Sequence, residues 1–79
     1  NVYPNPTSDY LQVSLNIIEA SDLQFNIFNT AGQLVANHKY ENVIGSQALP
    51  LNVSGFTNGL YTLELIINDA IVTKQFLKH

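Results

Sequence analysis

The carboxylate side chains are the first residues of this chain that could do chemistry, as general acids and bases or as ligands for a hard cation. They are scattered along the sequence, at Asp9, Glu19, Asp22, Glu41, Glu64 and Asp69. A calcium site needs several converging oxygen donors, usually from one closely spaced acidic loop, and the sequence has no such loop. Asp22 and Asp69 adjoin predicted turns, where short carboxylates cap the backbone. We therefore interpret these groups as caps and solvated surface residues, and predict no metal site.

Nucleophilic and metal-binding side chains are also sparse. The two histidines, His38 and His79, are far apart in a chain without cysteine, which is not a zinc-binding pattern. His79 is either native or the first residue of a purification tag. No serine lies in the Gly-x-Ser-x-Gly turn that exposes a hydrolase nucleophile. The sequence predicts no catalytic residue, no cofactor-binding residue and no enzymatic activity.

The charge balance excludes two classes of partner. The 79-residue chain has a net charge of −3, and its only side-chain cations besides histidine are Lys39, Lys74 and Lys78. Nucleic-acid binding requires several phosphate-neutralising cations on one surface, and binding to an anionic membrane requires a similar basic patch. The longest apolar runs are three residues, so we also expect no insertion into a membrane.

Length and composition indicate one small globular domain. Hydrophobic residues make up 46% of the chain, which is enough for a core, and no cysteine is available for a disulfide framework. The chain contains no methionine, not even at its start, and no signal peptide is visible in its first residues. These features favour a module from the end of a longer protein.

Alternation of apolar and polar residues with a period of two dominates the chain and predicts β-strands. The clearest alternations lie at residues 10–15, 23–27, 33–40, 49–53 and 61–67. Residues 29–32, Asn-Thr-Ala-Gly, suit a type I turn whose last residue needs a positive φ, and residues 68–69 suit a tight hairpin. Residues 17–21 are expected to turn the chain, and residues 41–48 to form a loop or an irregular edge.

Two strands carry additional signals. Pro50 limits its strand to an edge position or a strand start, because proline cannot donate a ladder hydrogen bond. In the final strand, residues 70–78, Ile71 and Leu77 fall on one face while Val72 and Phe76 fall on the other. This mixed pattern predicts a bulge or burial on both sides.

The number and spacing of these strands predict an all-β fold. Six or seven short strands separated by turn signals are typical of an antiparallel, immunoglobulin-like β-sandwich of about seven strands. We expect a single domain over residues 1–79, with an extended entry or linker at 1–8 and the β-sandwich at 9–79.

The two ends of the chain are the least ordinary segments. The entry motif, Tyr3-Pro4-Asn5-Pro6, is stiff and extended because each proline locks its own φ and biases the residue before it away from helix. At the other end, Lys74 and Lys78 lie on the last predicted strand, where charged residues ordinarily protect an edge from aggregation.

Five short motifs follow one another over essentially the whole chain. They are Tyr3-Pro4-Asn5-Pro6, Ser8-Asp9 with the Leu11/Val13 strand, Gly32 before Leu34-Val35, Gly59-Leu60-Tyr61, and Lys74 with Phe76-Leu77-Lys78. In this order they resemble the C-terminal sorting domain of the type IX (Por) secretion system, the type A sorting domain family. One departure is His79, which follows the terminal lysine of the motif.

The resemblance implies a function without catalysis. Such domains lie at the C-terminus of secreted proteins of Bacteroidetes-type bacteria, covalently preceded by a passenger domain that first reaches the periplasm. The folded domain then directs the passenger across the outer membrane, and a surface sortase commonly removes it there. The passenger is either attached to lipopolysaccharide at the cell surface or released. Components of the type IX translocon, shuttle and sortase are the implied partners.

The resemblance also implies where the recognition signal lies. By position it corresponds to the last strands, at Lys74, Phe76, Leu77 and Lys78, with Gly59 and Tyr61 shaping the preceding strand. An edge strand offers unpaired backbone groups for β-augmentation by a receptor, and the two lysines suit an acidic partner. Because the same edge invites self-pairing, a strand-swapped homodimer is also expected for the isolated domain.

Two other functions stay open at this point. A carbohydrate-binding or spacer module of an extracellular enzyme would use exposed rings, and four aromatic residues are predicted to face outward: Tyr3, Tyr10, Phe28 and Tyr40. An adhesion repeat would be followed by further copies of itself in the full-length protein.

Overall fold

A computed structural model describes residues 2–3 and 9–79 of the chain. These residues form five antiparallel strands: β1 Val2–Tyr3, β2 Tyr10–Phe28, β3 Leu34–Asn52, β4 Gly59–Ile67 and β5 Ala70–Lys78. The strands make one connected sheet in the order β1-β2-β4-β5, and β3 also pairs with β2. The prediction of an all-β, antiparallel fold is confirmed.

Two strands of 19 residues, β2 and β3, each replace two of the shorter strands that the sequence predicts. Residues 17–21 and 41–48 continue as strand, so the expected reversal at 17–21 is wrong. Of the two alternatives for 41–48, the irregular edge is present and the loop is not. Register shifts between Ile17 and Ser21 and between Ser21 and Leu23 absorb the irregular residues. Bulges of this kind bend a strand without ending its pairing.

The β2 strand is strongly bent at these register shifts. A straight strand of its length would span roughly 60 Å, whereas the longest extent of the molecule is 36 Å. Both halves of β2 therefore contribute to the same core, with Leu11 and Val13 coming from the first half and Phe25 and Ile27 from the second.

The core is a cluster of buried apolar side chains. Its members are Leu11, Val13, Ile17, Leu23, Phe25, Ile27, Leu51, Val53, Tyr61, Leu63, Leu65 and Phe76. Tyr40, which the sequence places outward, packs edge-on against Phe25 with ring centroids 5.8 Å apart. That expectation is wrong because Tyr40 lies opposite Leu23, in a row that faces the core.

The turn signals are confirmed where short polar side chains determine the geometry. The Asn29 side-chain oxygen accepts hydrogen bonds from the backbone N–H groups of Ala31 and Gln33, each at 3.0 Å. Gly32 has a φ of 80° and donates its N–H to the Asn29 carbonyl at 3.0 Å. Residues 68–69 close a tight hairpin, since Ile67 lies directly opposite Ala70.

The last strand is regular, contrary to expectation. The β4–β5 register runs without a shift from Ile67 opposite Ala70 to Gly59 opposite Lys78, so no bulge is present. Ile71, Val72 and Leu77 are all exposed, and burial on both sides is also wrong. The mixed apolar pattern arises because β5 is the last strand of the sheet and only its Phe76 end faces the core.

Pro50 lies in β3, which pairs only with β2 among the described strands, so its predicted edge position is confirmed.

Gly32→Ala is expected to destabilise the chain by about 1–2 kcal/mol, because an L side chain is strained at positive φ. No atom lies within 4 Å of the added Cβ, so the effect isolates backbone strain from packing. Gly55→Ala is the matched control, since its Cβ also meets nothing within 4 Å and its φ is not positive. The free energy of unfolding in urea measures both, and equal losses would contradict the turn assignment.

Candidate recognition site on the terminal hairpin

The strands β4 and β5 form a terminal hairpin, residues 59–78, that contains all six candidate recognition residues. Lys78 lies opposite Gly59, Phe76 lies opposite Tyr61, and Leu77 lies between them opposite Leu60. The pairing therefore brings together residues that are up to 19 positions apart in the sequence. Lys74 lies further along β5, opposite Leu63.

Aromatic stacking holds the two strands together near the open end of the hairpin. The rings of Tyr61 and Phe76 stack with centroids 5.6 Å apart at 17°, and Phe56 packs on Tyr61 at 5.1 Å. The Tyr61 hydroxyl donates to the Thr57 carbonyl at 2.7 Å, which satisfies the polar end of a ring that is only 5% exposed. Tyr61 and Phe76 therefore shape the hairpin from inside, and cannot contact a partner while the domain stays folded.

Sequence reasoning missed the support that Phe56 and Thr57 give to this stack. Both residues lie in the turn-rich stretch before β4, where the alternation signal is absent. The available signal was Phe56 itself, a large apolar side chain among turn residues. Its contact with Tyr61 shows that this turn packs against the hairpin.

The two lysines of β5 differ in their surroundings. Lys74 is exposed, whereas Lys78 is only 7% exposed. They lie on the same face of the strand because they are four residues apart. A buried lysine is tolerated when its methylene stem covers apolar surface and its ammonium group reaches water. Lys74 is thus the more accessible cation of the predicted signal.

The opposite face of the hairpin exposes apolar side chains. Leu60 and Leu77 form a cross-strand pair, and each is 43% exposed. Ile66 and Ile71 form a second pair nearer the turn, where Ile71 is 62% exposed. Single exposed apolar residues are ordinary, but two cross-strand pairs on one hairpin face are a potential contact surface.

Polar bonds attach the hairpin to β2. The Asn26 side chain, 8% exposed, donates to Glu64 Oε1 at 3.0 Å and accepts from Asn37 Nδ2 at 2.6 Å. These three residues lie side by side on β4, β2 and β3, in one row across the sheet. The interpretation of Glu64 as a solvated surface residue is therefore wrong, because its carboxylate attaches the hairpin to β2.

The interpretation of Asp22 as a backbone cap is confirmed, since its carboxylate accepts the Asn42 N–H at 3.1 Å.

The described part of the chain contains neither a metal-binding cluster nor a membrane-crossing helix. Within residues 2–3 and 9–79, no group of three or more His, Asp or Glu side chains could hold a metal ion. No helix among these residues is long and apolar enough to cross a membrane.

Of the entry motif, Tyr3 forms part of β1, while Pro4, Asn5 and Pro6 lie outside the described residues.

The chain matches the model of a known family and is similar to a known protein. The model of a family described as secretion system C-terminal sorting domain matches residues 1–79, the whole chain. The chain is also similar to the ulvan lyase NLR42 of Nonlabens ulvanivorans, with 38% identity over 69 residues. This match covers 86% of the chain but only 12% of the lyase, so the chain spans a small part of that relative.

Phe76→Ala is expected to cost about 3–5 kcal/mol of unfolding free energy, because it removes a buried ring and leaves a cavity against Tyr61. Leu77→Ala, one residue further along on the exposed face, is the matched control and should cost less than about 1 kcal/mol. Urea unfolding followed by circular dichroism measures both variants. Similar losses would show that Phe76 does not anchor β5.

Proposed function

Because the chain belongs to the family of secretion system C-terminal sorting domains, we propose that its terminal hairpin is the signal by which the type IX machinery exports a passenger across the outer membrane. The family is non-catalytic, and its domains carry the secretion signal of the passenger that they follow. Membership implies export to the cell surface or to the medium. We extend the family property to this chain and propose that it catalyses no reaction itself.

The observation that supports the hairpin as the signal is the separation of its inner and outer residues. Tyr61 and Phe76 hold the two strands in register from within, while Lys74, on the Phe76 face of β5, and Leu77, on its opposite face, both stay exposed. A receptor would therefore meet a preformed pattern of charge and apolar surface. Preformed patterns bind more tightly because less ordering is needed on contact.

Backbone recognition is the second part of this proposal. Strand β5 is the last strand of the described sheet and pairs only with β4. A receptor strand could add beside it by β-augmentation, with an acidic side chain placed near Lys74. Gly59 and Lys78 would act mainly by position, since they are paired opposite each other at the end of the hairpin.

The processing steps and partners follow from the same assignment. We propose that translocon and shuttle components bind the domain, and that a surface sortase later removes it from its passenger. We also retain the single-domain organisation, with an extended entry at residues 1–8 and an immunoglobulin-like sandwich whose two layers would be the two halves of the bent sheet. The strand-swapped homodimer remains a further proposal for the isolated domain.

The carbohydrate-binding alternative has less support. It depended on exposed rings, and two of the four candidate rings, Phe28 and Tyr40, are half-buried. Tyr10 is 58% exposed, but an exposed ring on a strand is commonly a cross-strand packing partner. No observation on the described residues favours this function over export.

A fusion experiment tests the proposed signal. The chain is placed behind a periplasm-targeted fluorescent protein in a type IX-competent host, as wild type and as the Lys74→Glu/Leu77→Ser variant. Loss of about 1.4 kcal/mol of receptor binding would lower the exported fraction by roughly tenfold. Fluorescence in the medium and on the cell surface, relative to the periplasm, measures this fraction.

Matched controls separate recognition from folding. Lys39→Glu/Leu34→Ser makes the same changes at exposed positions on β3, and should export like the wild type. A truncation that ends before Ala70 removes the whole of β5 and should abolish export. Normal export of the Lys74→Glu/Leu77→Ser variant would exclude these side chains as the signal, and periplasmic retention of an intact wild-type fusion would refute the export function.

A further inference from the structure

The bend of β2 and β3 exposes an unusual combination of residues. We define the bend surface as Ile18, Glu19, Asp22, Glu41, Ile44 and Asp69. It is separate from the candidate signal, which lies toward the open end of the hairpin around Gly59 and Lys78, while the bend adjoins the turn at residues 68–69. None of its residues has a role in the proposed export signal.

Two isoleucines form the apolar part of the bend surface. Ile18 is 89% exposed and Ile44 is 57% exposed. They lie across from each other, because residues 18–20 fall between the Ile17–Gly45 and Ser21–Val43 pairs. The bulge therefore holds Ile18 outward next to Ile17, which is buried in the core. Aliphatic side chains this exposed in a small domain often mark a contact surface.

Hydrogen bonds hold this bulge in one conformation. The Asp22 carboxylate accepts the Asn42 N–H at 3.1 Å, and the Asp22 carbonyl accepts the Asn68 N–H at 3.3 Å. The Ser21 hydroxyl donates to the Glu19 carbonyl at 2.8 Å, and Gln47 Nε2 donates to the Ile44 carbonyl at 2.8 Å. The isoleucines thus project from a fixed scaffold, which lowers the entropy that binding would cost.

The charged part of the bend surface is strongly acidic. Four of the six carboxylates in the sequence lie here, at Glu19, Asp22, Glu41 and Asp69. They line two clefts beside the bend, one of about 480 Å³ and one of about 380 Å³. Lys39, in the larger cleft, is the one lysine among the residues that line them. Glu19 shares the smaller cleft with Ile18, whereas Asp22, Glu41 and Asp69 line the larger cleft, which adjoins the smaller one where Ser21 meets Asp22. The bend surface as a whole therefore carries an excess of negative charge.

We propose that the bend surface is a second docking surface, for a protein partner with an apolar socket surrounded by basic side chains. The isoleucines would enter the socket, and the carboxylates would steer the encounter and select against acidic partners. An anionic membrane would repel the same carboxylates, so the surface suits a protein rather than a lipid headgroup layer. This inference stands apart from the export signal and does not require it.

Cross-linking from the bend tests this proposal. The chain has no cysteine, so Ile18→Cys introduces a unique thiol in the domain for a benzophenone label. The label is irradiated in the full fusion with envelope extract of the host. Leu34→Cys, 55% exposed on β3, is the matched control. We expect a discrete protein adduct from position 18 and not from position 34.

Charge reversal decides whether the adduct reports the proposed partner. Adding Glu19→Lys and Glu41→Lys should reduce the adduct by roughly tenfold, and raising the salt concentration should weaken it as well. Thermal unfolding of each variant checks that the fold is intact. A lipid adduct, an adduct insensitive to charge reversal, or no adduct at position 18 would each overturn the proposal. Export of the wild-type fusion, measured in parallel, reports separately on the sorting function.

Discussion

The bend in β2 allows one strand of 19 residues to contribute both of its halves to a single core. A 19-residue strand that stayed straight would exceed the length of the molecule and would leave its apolar face in water. The register shifts between Ile17 and Leu23 let both halves of the strand face one core while most of their ladder bonds remain. Positive φ at Asn42 and Gly45 accommodates the same bend on β3.

The bend also determines what the terminal hairpin can present. Strand β4 pairs with β2 only beyond the bend, from Leu23 to Phe28, so the hairpin is attached to the second half of the strand. Stacking of Tyr61 on Phe76 then fixes the register of β5. Once that register is fixed, alternation alone places Leu77 on the opposite face from Phe76. A folded signal of this kind carries information in the spacing of its side chains as well as in their types.

Local signals in the sequence were reliable where a few neighbouring residues control the backbone. The turn at residues 29–32 was predictable because the Asn29 side chain and the positive φ of Gly32 determine it without help from the core. The stretch at 17–21 was not, because its polar and apolar residues fit a turn and a bulge equally well. Pairing with Val43 and Gly45, far along the chain, decided for the bulge.

The candidate signal on the terminal hairpin also combines features controlled by neighbouring residues with features controlled by distant strands. The all-β class, the hairpin at 68–69 and the motif residues that relate the chain to its family were predictable, since they depend on residue type and short spacing. Packing between distant strands was needed to establish that Phe76 and Tyr61 are buried, that Lys78 is covered while Lys74 is exposed, and that Ile18 projects into solvent. Burial depends on which distant strand covers a given face of a strand. The period-two alternation of side chains shows that a strand has two faces, but it does not show which part of each face is covered.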